Sequence, residues 1–153
     1  SYQNITSIQH ALPAPQSYFS GGLRFASGPG YAHDWITGWS NAADSIHWDL
    51  DVARAGLFEV KLRYLCPETD VGSRIALHAG GARVEAQIAR GTSMEPKPSR
   101  DVVPRNYRVM HWGELDCGRL ALERGQVRLN LSAVEKKGVT VIDVKEIELR
   151  RVG

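Results

Sequence analysis

Aromatic side chains in glycine- and proline-rich segments are the residues of this sequence best suited to binding chemistry. Tyr31, Trp35 and Trp39 lie within nine residues, and Tyr107 and Trp112 follow a proline-rich stretch at 90–106. An exposed ring stacks on the C–H face of a sugar, as it does on other flat apolar surfaces. We therefore expect these rings either to form a binding surface or to seal the ends of the core.

Basic residues surround the second aromatic group. The segment 97–108 carries four Lys or Arg residues, Arg105 among them, against one Asp, which leaves a local excess of three positive charges. Guanidinium groups bind sulfate and carboxylate through paired hydrogen bonds. Lys136 in the last loop adds an ammonium group. The cluster predicts either a site for an anionic group or an ordinary solvated basic face.

Catalytic motifs do not occur in the sequence, which has no GxSxG, no HExxH, no phosphate-binding glycine loop and no EF-hand spacing. Asp49 and Asp51 share one strand face, but same-face residues about 7 Å apart also occur on any solvated strand. The five histidines are scattered without the spacing of metal ligands. The sequence therefore predicts no catalytic centre.

The bulk composition limits the classes of partner. The 153 residues are 42% hydrophobic, which suits one domain with a substantial core, and a net charge of +2 is too small to predict nucleic-acid binding. No stretch approaches the roughly 20 apolar residues of a membrane span. Cys66 and Cys117 match no zinc spacing, so they are expected as one disulfide or as two buried thiols.

Segments with a period of two position these residues. Apolar side chains alternate with polar ones in 45–52 and again in 58–64, and the short break between them predicts an antiparallel hairpin. Further strands are expected at 23–26, 74–78, 82–88, 109–115, 126–133 and 139–150. Since no helical period is sustained, the class is all-β, as a two-sheet antiparallel β-sandwich. Residues 1–20 are predicted to be a lead-in segment, and 21–153 a single sandwich domain.

Four stretches resemble a known signature: GW at 38–39, DSIHW at 44–48, DVARAGLFEV at 51–60 and VIDVKEIEL at 141–149. Together they are similar to the galactose-binding-like carbohydrate-binding modules of families 6 and 35. The resemblance covers about half of the chain. It implies a jelly-roll sandwich that binds a polysaccharide without catalysis, on behalf of an attached catalytic domain, with neither nucleic acid nor membrane as a partner.

A narrower resemblance involves DVVPR at 101–105, Tyr107, Trp112 and LDCG at 115–118. These residues look like the C-terminal accessory modules of bacterial arylsulfatases and glycoside hydrolases. That likeness implies a module carried on an enzyme of sulfated-polysaccharide breakdown, in a secreted or periplasmic bacterial protein. Together with the Arg and Lys residues near the expected site, it leads us to expect an anionic or sulfated glycan. A structural accessory domain that binds no sugar is the alternative.

The family resemblance also implies a sugar site in the loops at one end of the sandwich. By position, Trp39 matches the stacking aromatic, and the segment 105–112 supplies a second ring, for which Tyr107 is preferred to Trp112. The expected ligand-binding residues are Trp39, Tyr107, Arg105, Trp35, Trp112 and Lys136.

Two positions near the last strand bear on that implied site. Val141 stands where the family has a ligand-binding Asn. Asp143 matches an acidic ligand of a structural calcium ion, which the resemblance implies as the cofactor. Calcium takes six to eight oxygen ligands, and residues 1–22 contain no acidic residue to complete the set.

Overall fold

The computed structural model describes residues 1–27, 33–98 and 109–153. These ranges contain twelve strands and two short 3-10 helices at Ala14–Gln16 and Glu68–Asp70. No helix in them is long and apolar enough to cross a membrane. In chain order the strands are β1 (Gln3–Ile5), β2 (Gln9–Pro13), β3 (Tyr18–Phe19), β4 (Arg24–Phe25), β5 (Ile36–Thr37), β6 (Ser45–Val52), β7 (Gly56–Leu65), β8 (Arg74–Ala79), β9 (Ala82–Gln87), β10 (Gly113–Leu122), β11 (Gly125–Glu135) and β12 (Asp143–Arg151).

The strands form two six-stranded sheets around one core. The first sheet has the order β1-β6-β11-β8-β9, with β3 also paired to β6. The second has the order β10-β7-β12-β5-β4, with β2 also paired to β12. Apart from the parallel pair β1-β6, the pairings are antiparallel. The predicted all-β sandwich is confirmed.

Alternation of apolar and polar residues explains the burial of β6. Ile46, Trp48, Leu50 and Val52 are each at most 1% exposed, whereas the residues between them are partly exposed. Burying a large apolar side chain stabilises the fold by about 1.5–3 kcal/mol. The indole Nε1 of Trp48 donates to the carbonyl oxygen of Pro13 at 3.0 Å, so this core ring leaves no unpaired N–H.

The predicted hairpin between β6 and β7 is wrong. β6 pairs with β1, β3 and β11 in the first sheet, while β7 pairs with β10 and β12 in the second. The connection at 53–55 therefore crosses from one sheet to the other. Both strands have a single apolar face, and crossing over lets those faces enter the same core cluster.

The predicted lead-in segment is also corrected. Within the first twenty residues, β1 and β3 join the first sheet and β2 joins the second. Ile5 is 1% exposed and Leu12 is fully buried, so both belong to the core. The sandwich thus begins near Gln3 rather than at residue 21. These strands are only two to five residues long, too short for a clear period.

Two other predicted strands have different bounds. Val109 to Trp112 precede β10, which begins at Gly113 and runs seven residues past the expected end at 115. Met110 instead forms a single antiparallel bridge with Pro96. The last strand begins at Asp143 rather than at residue 139. Both shifts lengthen the loops at the same end of the sandwich.

The two cysteines are buried free thiols. Cys66 follows β7 directly, and Cys117 lies within β10. Burial raises the pKa of the Cys66 thiol to about 11 and that of Cys117 to about 12. The sequence left open a disulfide or two buried thiols, and the structure contains two buried thiols.

The outer face of the second sheet carries an ion-pair network centred on Arg63. Its Nη1 contacts Glu146 Oε2 at 2.7 Å and Glu148 Oε2 at 2.8 Å, and its Nε contacts Glu114 Oε1 at 3.1 Å. Arg63, Glu146 and Glu148 are 23%, 20% and 15% exposed, whereas Glu114 is 52% exposed. The two more buried contacts are therefore the stronger ones.

Because 53–55 joins the ends of β6 and β7, the start of β6 and the end of β7 lie together at the opposite end. The described segments 20–27, 33–44, 66–73, 88–98, 109–112 and 136–142 meet there, and we call it the loop end. Three buried carboxylates bind the described loop backbone. Asp34 accepts from the amides of Ser27 and Trp35, Asp44 from that of Gly22, and Asp70 from Val139 and from the Thr140 hydroxyl.

Candidate functional site

Most of the described site residues predicted from the sequence lie at the loop end. Trp35, Trp112, Lys136 and Asp143 are all in its loops or at the strand ends that border it. Arg105 and Tyr107 lie outside the described residues, as does Tyr31, so the structure does not test them. That these residues bind a ligand at this end stays a prediction.

Trp39 is corrected from an exposed stacking ring to a core residue. Its side chain is fully buried, and its carbonyl oxygen accepts from the amide of Val141 at 2.8 Å. A ring packed on both faces has no surface left to offer a sugar. Val141 is itself fully buried, so its side chain makes no surface contact either. The polar side chain at the start of the last strand is Asp143.

Two tryptophans pack against each other at the loop end. The Trp35 and Trp112 ring centroids are 5.3 Å apart with an interplanar angle of 76°, which is an edge-to-face contact. Trp35 is 8% exposed and packs on Leu65 and Met110, while Trp112 is only partly buried. Trp35 therefore supports Trp112, and Trp112 is the ring with a surface open to solvent. Together with Asp143 and Lys145 they form what we call the tryptophan corner.

Strand alternation places the tryptophan corner on the outer side of the second sheet. Ile36 and Val144 are paired and buried, so their neighbours Trp35 and Asp143 point the other way. The strand is irregular between Val144 and Glu146, and Lys145 is placed on the same side by its contact with the Trp112 ring. The amide of Trp35 also donates to Asp34 at 2.9 Å, which fixes the backbone where the ring begins. The corner is thus set by two strands and a buried carboxylate.

Lys145 supplies a cation beside the exposed ring. Its Nζ lies 5.3 Å from the Trp112 ring centroid and donates to the carbonyl oxygen of His33 at 2.9 Å. Burial lowers the pKa of this amine, and the nearby Glu146 and Asp34 act in the opposite direction. Sequence reasoning missed Lys145, although its position two residues after Asp143 puts both on one strand face.

Asp143 is held by hydrogen bonds from its neighbours. Its carboxylate accepts from Thr37 Oγ1 at 2.9 Å and from Trp35 Nε1 at 3.3 Å. Burial raises its pKa, while these hydrogen bonds and the charge of Arg24 act to lower it. The carboxylate therefore orients the indole ring and the Thr37 hydroxyl.

The surroundings of Asp143 do not fit calcium. Both of its oxygens already accept hydrogen bonds, and the described residues contain no cluster of three His, Cys, Asp or Glu side chains that could hold a metal ion. Calcium prefers six to eight oxygen ligands, which this donor set does not supply. Calcium at Asp143 stays a prediction without structural support.

Lys136 contacts backbone rather than other side chains. Its Nζ donates to the carbonyl oxygens of Ser40 at 2.8 Å and Val139 at 3.3 Å. It thereby joins two loops next to the buried Trp39. Its predicted role in ligand binding stays a prediction.

No family profile matches this sequence, and no curated protein is similar to it. Solved structures, however, share its architecture. A family 35 carbohydrate-binding module from Clostridium thermocellum superposes with a TM-score of 0.62 at 15% identity, over 95% of this chain and 100% of that module. The chain has the fold of a family 35 carbohydrate-binding module. Solved family 6 modules match as well, so the predicted galactose-binding-like fold is confirmed.

The same fold also forms part of larger proteins. In the Podospora anserina GH26-CBM35 β-(1,4)-mannanase it superposes with a TM-score of 0.67 at 17% identity, over 95% of this chain but 28% of that protein. In the mosquito-larvicidal Cry4Aa toxin from Bacillus thuringiensis the TM-score is 0.71 at 14% identity, over 99% of this chain and 25% of the toxin. The chain thus spans about a quarter of each. The fold alone therefore does not identify a ligand.

Proposed function

We propose that this chain is a non-catalytic carbohydrate-binding module whose site is the tryptophan corner. The observation that carries the proposal is the partly exposed ring of Trp112, held edge-on by the buried Trp35 with the Lys145 ammonium beside it. A rigid, partly exposed ring stacks on the C–H face of a pyranose, and the adjacent polar groups can bind its hydroxyls. The affinity is expected to be modest because an open corner covers little of the sugar.

The finer proposal is that the glycan is anionic, with sulfated polysaccharides as one class. Lys145 is the described cation at the exposed ring, and Lys97 and Arg105 belong to the basic segment that precedes Trp112 in the sequence. A cation that is partly removed from water interacts more strongly with an anionic substituent than a fully solvated one does.

The proposed role of binding is to target an attached polysaccharide-degrading enzyme to its glycan. The Podospora mannanase, in which this fold accompanies a catalytic unit, supports such an arrangement. The parent enzyme would be a sulfatase or glycoside hydrolase that acts in a secreted or periplasmic location.

A structural accessory domain with no sugar binding is the second candidate. The burial of Trp39 and Val141 favours it, because two positions that the family resemblance assigned to the sugar contribute no exposed side chain. The two candidates differ in whether the tryptophan corner has a ligand.

Glycan-array screening followed by affinity-gel electrophoresis of Trp112→Ala tests the proposal. We expect wild type to be retarded by at least one glycan and Trp112→Ala to bind it about 30-fold more weakly, since a stacking anchor is worth about 2 kcal/mol. Tyr2→Ala is the matched control, because Tyr2 is 47% exposed and lines a surface depression of the first sheet together with Arg128. Absence of retardation on every neutral and acidic glycan would favour the accessory role. A loss in Tyr2→Ala instead would move the site to the other sheet.

A further inference from the structure

An arginine with uncommitted hydrogen-bond donors lies beside the tryptophan corner. Arg24 is in β4, where it pairs with Thr37 of β5, and its side chain is exposed. Thr37 in turn donates to Asp143, so the three residues follow one another across the outer side of the second sheet. Neither the family resemblance nor the aromatic pattern pointed to this position.

The guanidinium of Arg24 is located by a glycine. Gly38 has a φ of +82°, and a Cβ at that residue would collide with Arg24 Nη1 and lie 2.9 Å from the carbonyl oxygen of Gly22. The absence of a side chain at Gly38 therefore leaves the space that the guanidinium fills. Arg24 lies against this backbone rather than extending freely into solvent.

The donors of Arg24 have no partner among the described residues. Arg24 makes no hydrogen bond and no ion pair there, unlike Arg63, which contacts three carboxylates on the same sheet. Asp143 attracts it electrostatically, but both Asp143 oxygens already accept from Thr37 and Trp35. A planar guanidinium whose donors have no partner in the ranges 1–27, 33–98 and 109–153 is suited to a carboxylate or a sulfate, which it binds through two parallel hydrogen bonds.

We propose that Arg24 binds the anionic substituent of a glycan stacked on Trp112 and thereby determines selectivity for acidic over neutral sugars. The inference rests on the proposed function and adds to it the residue that recognises charge. Lys145 lies at the ring itself and Arg24 on the other side of Asp143, so the acidic group belongs to the stacked sugar or to its neighbour in the chain.

The test compares polymers that differ only in charge. Polygalacturonate is measured against its fully methyl-esterified form, and dextran sulfate against dextran, with wild type, Arg24→Gln and Arg24→Lys by affinity-gel electrophoresis. Arg54→Gln is the matched control, since Arg54 is exposed in the 53–55 connection at the opposite end of the sandwich. Thermal unfolding of each variant verifies that this exposed substitution leaves the fold intact.

We expect Arg24→Gln to weaken binding to at least one acidic polymer about 10- to 100-fold, the effect of a lost charge-assisted hydrogen-bond pair. Binding to the uncharged counterpart should change less than about threefold. The affinity of Arg24→Lys should be intermediate, because lysine keeps the positive charge but lacks the paired donors of the guanidinium. Arg54→Gln should bind as wild type does. If binding to polygalacturonate is weakened, the anion that Arg24 recognises is a carboxylate; if binding to dextran sulfate is weakened, it is a sulfate.

Two other outcomes overturn the inference in different ways. If wild type binds acidic and uncharged polymers equally, or if Arg24→Gln and Arg54→Gln behave alike, Arg24 does not select charge, while the proposed function stands through Trp112. If wild type binds no glycan at all, the proposed function fails together with the inference.

Discussion

Replacing Arg63 with Met tests whether the ion-pair network stabilises the second sheet. The substitution keeps an unbranched side chain but leaves Glu114, Glu146 and Glu148 without their shared cation. Hydrogen bonds to charged groups contribute about 1.5–3 kcal/mol each when shielded from water. Arg63, Glu146 and Glu148 retain 15–23% exposure, so we reduce the two strong contacts to about 1 kcal/mol each. Glu114, which is 52% exposed, adds little.

The expected loss in the free energy of unfolding is therefore about 2 kcal/mol at pH 7, or about 4–8 °C in Tm for a domain of this size. Urea unfolding monitored by tryptophan fluorescence measures it. Arg150→Met is the matched control, because Arg150 is 51% exposed and its one ion pair among the described residues is with Glu59 on the same sheet. We expect that variant to lose less than about 1 kcal/mol.

The pH dependence separates charge from packing. Burial acts to raise the pKa of Glu148, but the hydrogen bond and charge of Arg63 outweigh it, so the pKa lies below its usual value. A lowered carboxyl pKa stabilises the fold above the unfolded pKa of about 4.3, and this contribution disappears as the pH falls through the folded value. The difference between wild type and Arg63→Met should thus shrink from pH 7 to pH 3.5. An equal loss at both pH values, or an equal loss in Arg150→Met, would refute the network.

Two further predictions concern buried groups. Trp39→Ala should lower the free energy of unfolding by about 3–5 kcal/mol in urea titration, because it empties a fully buried site; a loss below about 1 kcal/mol would contradict that burial. Cys66 and Cys117 should resist a thiol reagent at pH 8 until urea unfolds the chain, since their pKa values are about 11 and 12. Rapid labelling of the native protein would contradict the burial of these thiols. Because the unfolded thiols ionise near pH 9, the free energy of unfolding should also fall as the pH rises from 9 towards 12.

Periodicity predicted where the strands lie better than it predicted which strands pair with each other. The segment 45–52 is a strand with the expected buried face, because alternation reports directly on which side chains leave water. Alternation does not report which strand lies alongside, and the short break at 53–56 is compatible with a tight turn or with a crossing between sheets. The hairpin interpretation failed for that reason.

The loops were harder to predict because they have no period. Trp35, Trp39 and Trp112 all lie in or beside loops, yet they range from fully buried to partly exposed. Their burial depends on contacts between segments far apart in sequence, such as the amide of Val141 bonding to the Trp39 carbonyl oxygen. Arg24 and Lys145 join the candidate site for the same reason: strand pairing brings them there, and no local motif marks them.

The buried carboxylates Asp34, Asp44 and Asp70 have a thermodynamic consequence for recognition at the loop end. Each ties described loop backbone to a neighbouring segment before any ligand arrives. Ordering one free backbone residue opposes binding by about 1–2 kcal/mol of conformational entropy. Where the described backbone is already held in this way, much of that loss is avoided, so even a small contact area can retain a useful affinity.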